Sequence, residues 1–279
     1  MSIELNRVQE MDVLDFLAEL PANTADMIFA DPPYNIKERG GRFSENVQGW
    51  KEYWAWCEAW INNAAAILKD TGSMFLKCPA RTSGYFQVIL DKYLEYRNQI
   101  ILLTPVHPTR RSFLNEHEVL LFYAKNKKRA FYNPTAELWP RNGNKNWWYK
   151  DKYRELEGDR ISDIWTDVKC IVAGSLVSQE TILKPNTRSK AHPNQMPVKI
   201  AERCILFTTK PYNLVVDLFA GSGTVPTAAA RLNRYFMACD INPEYAALAN
   251  VRAGQNALEF SQDCLNKMEG IEEFEQCRE

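Results

Sequence analysis

The stretch LVVDLFAGSGT, residues 214–224, decides which fold this chain of 279 residues can adopt. An apolar strand pattern runs into two glycines, Gly221 and Gly223, and a helix pattern over residues 225–232 follows. Glycines at such a turn let a ligand approach the backbone, and the amide groups of the helix N-terminus can donate to an anion. The next strand pattern, residues 235–239, ends at Asp240, where an acidic side chain can bind ribose hydroxyls. The stretch therefore predicts a site for a nucleoside cofactor. A nicotinamide dinucleotide is disfavoured, because proline stands at the third glycine position of that fingerprint.

A second motif, Asp31-Pro32-Pro33-Tyr34, follows an apolar run over residues 25–30 that predicts a buried strand. Proline fixes φ and has no amide donor, so this turn is rigid and presents only acceptors. Those acceptors are the carboxylate of Asp31 and the carbonyl of Pro32, and the ring of Tyr34 offers a stacking face beside them. Such a turn suits an amino group on a flat ring.

Strand and helix patterns alternate around both motifs. Helices are predicted over residues 50–68, 83–94, 198–207 and 243–253, and strands over 73–76, 99–103 and 119–123, with Thr71-Gly72 ending the first helix. This alternation predicts a largely parallel sheet with helices on both faces. Four tryptophans fall between residues 50 and 60. We expect them to dock their helix on the sheet rather than to form a stacking platform.

The interval 125–191 breaks the alternation. It is rich in turn residues and aromatic rings, which favours an ordered, functional segment over a plain connector. The region from residue 109 to residue 154 carries eleven Lys or Arg against four Asp or Glu, a local charge of +7 (11 − 4), although the whole chain has a net charge of −1. This pattern predicts an insertion that meets nucleic acid. The last segment, 259–279, is acidic.

Together these motifs resemble those of the amino-group DNA methyltransferases that use S-adenosylmethionine. Residues 31–34 match the catalytic block of that family and residues 219–224 match its cofactor block, in the order of its beta group. Residues 113–122 resemble the strand region after the catalytic half. Residues 192–197 resemble a His-Pro-Thr-Gln-Lys-Pro element, with Asn194 in place of Thr and Met196 in place of Lys.

The resemblance implies a Rossmann-like α/β fold whose sheet is mostly parallel with one antiparallel strand. It divides the chain into a catalytic half (1–124), a target-recognition insertion (125–191), a cofactor-binding half (192–258) and an acidic tail (259–279). The catalytic residues it implies are Asp31, Pro32, Pro33 and Tyr34. Those implied for the cofactor are Asp12, Asp31, Asp217, Phe219, Ala220, Gly221, Gly223, Thr224, Asp240, Asn194 and Gln195. Among these, Asp240 would hold the ribose, Asp217 would brace the turn and Asp12 would contact the adenine moiety.

The implied reaction is methyl transfer from S-adenosylmethionine to the N6 amino group of an adenine flipped out of double-stranded DNA. The candidates for DNA contact are Arg110, Arg111, Lys127, Lys128, Arg129, Trp147 and Trp148. Asp31 favours adenine, because relatives that act on cytosine N4 more often carry Ser at this position. The resemblance is also compatible with a homodimer and with a cognate restriction endonuclease.

Several alternatives stay open at this point. They are transfer to cytosine N4, methylation of RNA or of a protein amide, and a DNA-binding protein that keeps the fold without activity. Methylation at carbon 5 of cytosine needs a cysteine nucleophile in a Pro-Cys element, whereas this chain has Cys78-Pro79, the reverse order.

The composition limits the setting in which the chain works. Seven cysteines with no Cys-x-x-Cys pair predict free thiols in a reducing, cytoplasmic environment and argue against a zinc site. No apolar run is long enough to cross a bilayer, and the first residues lack a secretory signal pattern, so no membrane partner is expected.

Overall fold

The computed structural model describes residues 3–35, 49–107, 113–139, 159–168, 182 and 195–257. Within them no helix is both long and apolar enough to cross a membrane. The strands are β1 (Arg7–Glu10), β2 (Ala25–Ala30), β3 (Leu68–Pro79), β4 (Glu95–His107), β5 (Asn115–Ala124), β6 (Leu138–Trp139), β7 (Asp159–Arg160), β8 (Ile164–Trp165), β9 (Leu214–Asp217) and β10 (Tyr235–Asp240). The helices are α1 (Val13–Glu19), α2 (Trp50–Ile67), α3 (Ser83–Leu90), α4 (Val198–Thr208), α5 (Thr224–Arg231) and α6 (Pro243–Ala257), with a short 3₁₀ helix at Ala80–Thr82.

Eight strands form the main sheet, in the order β1-β10-β9-β2-β3-β5-β4-β8. Among these described strands β5 alone runs antiparallel to its neighbours, as the sequence predicted. The central strand β2 lies between β9 and β3, with Phe29 opposite Asp217 and Ala30 opposite Leu76. The turns that follow β2 and β9 therefore leave the sheet at the same edge, where ligands bind in parallel α/β sheets.

Helices cover both faces of the sheet. Helices α1, α2 and α3 pack on one face, where Ile28, Met74 and Val216 point. Helices α4, α5 and α6 pack on the other, where Phe29 and Val215 point. Because successive side chains of a strand point to opposite faces, a strand buried on both sides is apolar throughout, which explains the unbroken runs read in the sequence.

The C-terminal ends of the predicted helices differ from the sequence prediction by one to four residues, and α6 extends to Ala257 instead of residue 253. Helix α3 ends at Leu90 instead of residue 94, and α2 ends at Ile67, so that Thr71 and Gly72 lie inside β3. A Cβ atom on Gly72 would lie 2.7 Å from Cδ1 of Leu68 and 3.0 Å from the carbonyl oxygen of Asp26. The close approach to Asp26 of β2 favours glycine at this position in β3, and Gly72 does not end the helix.

The described parts of the insertion are built onto this sheet. Strand β8 pairs with β4 at the edge of the main sheet, and β6 pairs with β7 in a small second sheet. Trp165 is only 4% exposed, and the guanidinium of Arg203 from α4 lies 4.6 Å from its ring centroid. The same Arg203 binds the carboxylates of Glu137 at 2.8 Å and Asp167 at 2.7 Å. The base of the insertion is therefore anchored on α4.

Candidate active site

The glycine turn connects β9 to α5 through two residues with positive φ. Gly221 has φ of 50° and Gly223 has φ of 75°, a region that residues with a side chain rarely adopt. A Cβ atom on Gly223 would also lie 2.6 Å from Cα of Ala249 in α6. The turn thus needs glycine at Gly223 for its conformation and for packing.

Two carboxylates brace this turn from neighbouring strands. One oxygen of Asp240 accepts from the amide of Gly221 at 2.7 Å, and the other accepts from the amide of Asn242 at 2.9 Å. Asp217 accepts from the amide of Phe219 at 3.3 Å. Burial raises the pKa of both side chains, that of Asp217 to about 8. Asp217 thus carries a proton near neutral pH in the structure as it stands.

Residues of α2 and of the segment before α4 contact the turn. The ring of Phe219 meets the rings of Trp56 and Trp60 at centroid distances of 5.8 and 5.4 Å. The hydroxyl of Thr224 donates to the carbonyl of Met196 at 3.2 Å, which ties the turn to the segment before α4. In that segment, Gln195 accepts from the amide of Ile182 at 3.1 Å.

Asp12 lies at the same edge of the sheet, just after the outermost strand β1. It caps the N-terminus of α1, where its carboxylate accepts from the amide of Leu14 at 2.8 Å. The amide of Met11 donates to the carbonyl of Asp240 at 3.1 Å. The structure therefore brings Asp12, Asp217, Asp240 and the glycine turn together.

The Asp-Pro-Pro-Tyr turn lies next to them, at the end of β2. The amide of Leu218 donates to the carbonyl of Phe29 at 3.1 Å, which joins the two strands at the point where both turns begin. The hydroxyl of Tyr53, on α2, donates to the carbonyl of Pro33 at 2.8 Å. The Pro32 carbonyl, the second acceptor predicted from the sequence, belongs to the same turn.

Both oxygens of the Asp31 carboxylate have partners in the structure. Oδ1 accepts from the hydroxyl of Tyr34 at 2.8 Å, and Oδ2 lies 3.5 Å from Nζ of Lys77. Burial raises the pKa of Asp31, while the nearby Lys77 opposes that rise. The predicted acceptor is present, but a ligand must take the place of one of these partners.

Sequence reasoning missed Lys77 and Glu118, which complete this cluster. Nζ of Lys77 donates to the hydroxyl of Tyr34 at 2.5 Å and lies 2.8 Å from the carboxylate of Glu118 on β5. The signal in the sequence was a lysine inside the apolar strand run of residues 74–78. Burial alone would lower the pKa of Lys77, but Asp31 and Glu118 outweigh burial and raise it well above its usual value.

The predicted DNA contacts separate into two groups. Arg110, Arg111, Trp147 and Trp148 lie outside the described residues, as does Asn194, which the sequence assigned to the cofactor. Lys127, Lys128 and Arg129 are exposed and follow the end of β5.

This second group lies away from the site. Strand β5 runs from Glu118, beside Lys77, to Ala124 at the opposite edge, roughly 20 Å away at about 3.3 Å per residue. Arg129 also pairs with Asp70. The structure therefore does not bring Lys127, Lys128 and Arg129 to the catalytic edge, because β5 is antiparallel and carries them away from it.

Comparison with known proteins places this site in a family. A family model described as DNA methylase, of the N6/N4 type, matches residues 25–251. The type II methyltransferase M.BglII of Bacillus subtilis is 28% identical over 88% of this chain and 68% of its own length.

Solved structures share the fold. The cytosine-N4-specific PvuII DNA methyltransferase aligns with a TM-score of 0.62 at 17% identity, over 88% of this chain and 87% of its own. TTHA0409 of Thermus thermophilus, in complex with S-adenosyl-L-methionine, aligns with a TM-score of 0.60 at 19% identity, over 90% of this chain and 95% of its own. With a family match that spans most of its length, the chain belongs to the DNA methylase family of N6/N4 amino-methyltransferases, whose methyl donor is S-adenosylmethionine.

Proposed function

We propose that this protein transfers a methyl group from S-adenosylmethionine to the N6 amino group of an adenine flipped out of duplex DNA. The supporting observation is the adjacency of the acceptor turn at Asp31 and the glycine turn at Gly221. They follow neighbouring parallel strands whose residues Phe29 and Asp217 are in register. An amino group held at the first turn thus lies beside a cofactor held at the second.

The residues of the acceptor turn solve a chemical difficulty. The amino group of adenine is a poor nucleophile, because its lone pair is delocalised into the ring. Asp31 and the carbonyl of Pro32 would accept its two hydrogens and favour a pyramidal nitrogen with an available lone pair. When bound, the sulfonium cofactor would supply the electrophilic methyl group that this lone pair attacks. The contribution of the protein is then mostly positioning and electrostatics, and the proton leaves to Asp31 or to water.

The base must leave the DNA stack to reach Asp31, which costs about a few kcal/mol. Its amino group would replace the hydroxyl of Tyr34 as the donor to Oδ1 of Asp31, and the ring of Tyr34 would turn to stack on the base. The hydrogen bond from Tyr53 to Pro33 keeps the backbone of the turn fixed during this exchange.

The glycine turn and its carboxylates fit the cofactor that the family uses. We assign the amino-acid part to Phe219, Ala220, Gly221, Gly223 and Thr224, with Gln195 and Asn194 before α4. Each oxygen of Asp240 accepts one backbone amide, and a carboxylate oxygen has a further lone pair, so Asp240 retains capacity for ribose hydroxyls. Asp12 would contact the adenine moiety. The positive charge of the sulfonium would favour the ionised form of Asp217.

DNA contacts in this proposal come from the insertion and the segment before β5. Arg110 and Arg111 would bind phosphates, which gives affinity and salt dependence without choosing a sequence. Trp147 and Trp148 would contact the displaced strand or the flipped region. A homodimer and a cognate restriction endonuclease are compatible with the family.

Adenine is chosen over cytosine because of Asp31 at the first motif position. The experiment that tests this incubates the protein, S-adenosylmethionine and mixed-sequence duplex DNA, digests the DNA to nucleosides and identifies the modified base. The proposal expects N6-methyladenine. If N4-methylcytosine is the only product, the substrate is cytosine and the proposal of adenine is wrong. Parallel assays with RNA and with protein extract test the remaining substrate classes.

A further inference from the structure

Lys77 lies in the catalytic cluster because of the register between two strands. Leu76 of β3 pairs with Ala30 of β2, so the next residues, Lys77 within β3 and Asp31 just after β2, lie side by side. The side chain of Lys77 is only 8% exposed. Its ammonium group lies 2.5 Å from the hydroxyl of Tyr34, 2.8 Å from Glu118 and 3.5 Å from Asp31.

A buried ammonium group at this position has no evident structural need. Removing such a charge from water costs several kcal/mol before its partners compensate, and an apolar side chain would fill the same strand position without that cost. The pair formed with Glu118 does connect β3 to β5. Those strands, however, already pair continuously from residue 73 to residue 79. The remaining partners of Lys77, Asp31 and Tyr34, both belong to the catalytic turn.

We infer that Lys77 is a positioning residue for the acceptor turn: it holds the carboxylate of Asp31 through Oδ2, so that Oδ1 can exchange the Tyr34 hydroxyl for the amino group of the target base. Glu118 holds Lys77 in place from β5. This inference rests on the proposed methyl transfer. Asp31 accepts the amino hydrogens, whereas Lys77 acts through Asp31 and does not touch the substrate.

The charges around Asp31 explain why a cation is needed there. Asp31 faces Tyr34 from its own turn, Lys77 from β3, Glu118 from β5 and Asp217 from β9. Lys77 is the positively charged member of this described set. Without it, burial and the carboxylate of Glu118 would favour the protonated form of Asp31, which is a poorer acceptor for an amino group.

The test compares the full-length protein with Lys77→Met, Lys77→Arg and Glu118→Gln in single-turnover methyl transfer to mixed-sequence duplex DNA across pH. Lys77→Met should lower the rate at neutral pH by about 100-fold, the order expected when a reacting group is misplaced. It should also move the acidic limb of the pH profile to higher pH. Lys77→Arg, which keeps the charge, should leave the limb in place and recover part of the rate. Glu118→Gln should move the limb to lower pH.

Three controls separate this effect from simple loss of structure. The affinity for S-adenosylmethionine should stay close to wild type in Lys77→Met, because none of the contacts of Lys77 among the described residues is with the cofactor turn. Loss of a buried ion-pair partner lowers stability, so the midpoint of thermal unfolding is measured to show that the variant is folded at the assay temperature. A carbon-13 NMR titration of the aspartate carboxyl groups, with Asp31→Asn to assign the signal, reads the ionisation of Asp31 without any turnover. That signal should titrate at higher pH in Lys77→Met than in wild type.

Two different failures can be told apart. An acidic limb and an Asp31 titration that are the same in wild type and Lys77→Met would overturn the role of Lys77, even if the variant were slow. If wild type transfers no methyl group to DNA, the proposed function fails. The NMR titration then still decides whether Lys77 controls the charge of Asp31.

Discussion

The hydroxyl of Tyr34 donates a hydrogen bond of 2.8 Å to Oδ1 of Asp31, the atom that the proposed reaction needs for the substrate. Substrate binding must therefore break this bond. Tyr34→Phe removes the competing donor but keeps the ring, and we expect a lower KM for DNA. Tyr34→Ala removes the stacking face as well and should weaken productive binding of the base, since stacking on an aromatic side chain contributes about 1–3 kcal/mol per base. Steady-state transfer kinetics measure both. Equal losses in the two variants would contradict an exchange at Oδ1.

Gly223 gives a prediction about folding. Gly223→Ala places a Cβ atom 2.6 Å from Cα of Ala249 and forces a residue with a side chain to φ of 75°. The φ alone costs about 1–2 kcal/mol, so we expect a loss of unfolding free energy of at least that size and weaker cofactor binding. Urea unfolding measures the first quantity and calorimetry the second.

Gly254 in α6 supplies the matched control. A Cβ atom there would meet nothing within 4 Å, so Gly254→Ala should be neutral or stabilising by up to about 1 kcal/mol. Similar destabilisation by both substitutions would show that the close contact at Ala249 is not the cause.

Asp217 predicts a pH dependence of stability. Its pKa is raised to about 8 in the folded chain, chiefly by burial, whereas an unfolded aspartate titrates near 4. Between these values the folded form binds a proton that the unfolded form has released. The contribution of Asp217 is therefore full below about pH 4 and is lost as the pH rises through about 8.

Asp217→Asn replaces the titrating carboxyl group with an amide that does not titrate, and the amide oxygen can still accept from the backbone amide of Phe219. Urea denaturation from about pH 5 to about pH 8.5 measures the unfolding free energy of both proteins. As the pH rises, wild type should lose stability relative to the variant. A difference that stays constant over this range would mean that Asp217 is already ionised in the folded protein.

Lys127 and Lys128 test the geometry of DNA binding. The sequence predicted that they contact phosphates, whereas the structure carries them to the edge opposite Asp31. We expect the double variant Lys127→Ala, Lys128→Ala to leave the salt dependence of DNA affinity unchanged. Each lost phosphate contact would reduce the slope of log affinity against log salt by about 1, so a clear reduction would restore the sequence-based assignment.

The two motifs could be predicted from the sequence because each is local. Glycine at positive φ, proline in an acceptor turn and a strand before each turn are all encoded within a few residues of Gly223 or Asp31. The largely parallel sheet followed from the alternation of strand and helix patterns, and its one antiparallel strand followed from the family resemblance.

What escaped prediction depends on register between distant strands. Nothing local shows that Lys77 emerges beside Asp31, or that Glu118 faces both from β5. The contact of Trp60 with Phe219 joins residues that are far apart in the sequence. The position of Lys127 has the same origin, because only the direction of β5 shows to which edge that turn belongs.

The most direct test of the central claim uses Asp31→Ala with labelled S-adenosylmethionine and duplex DNA. Although Asp31 is one of the residues implied for the cofactor, the glycine turn and its other carboxylates make up most of that site, so the variant should bind S-adenosylmethionine with nearly the affinity of wild type. Because it lacks the carboxylate that receives the amino group, it should transfer no methyl group to DNA. Turnover close to that of wild type would contradict the claim that Asp31 makes the amino group reactive.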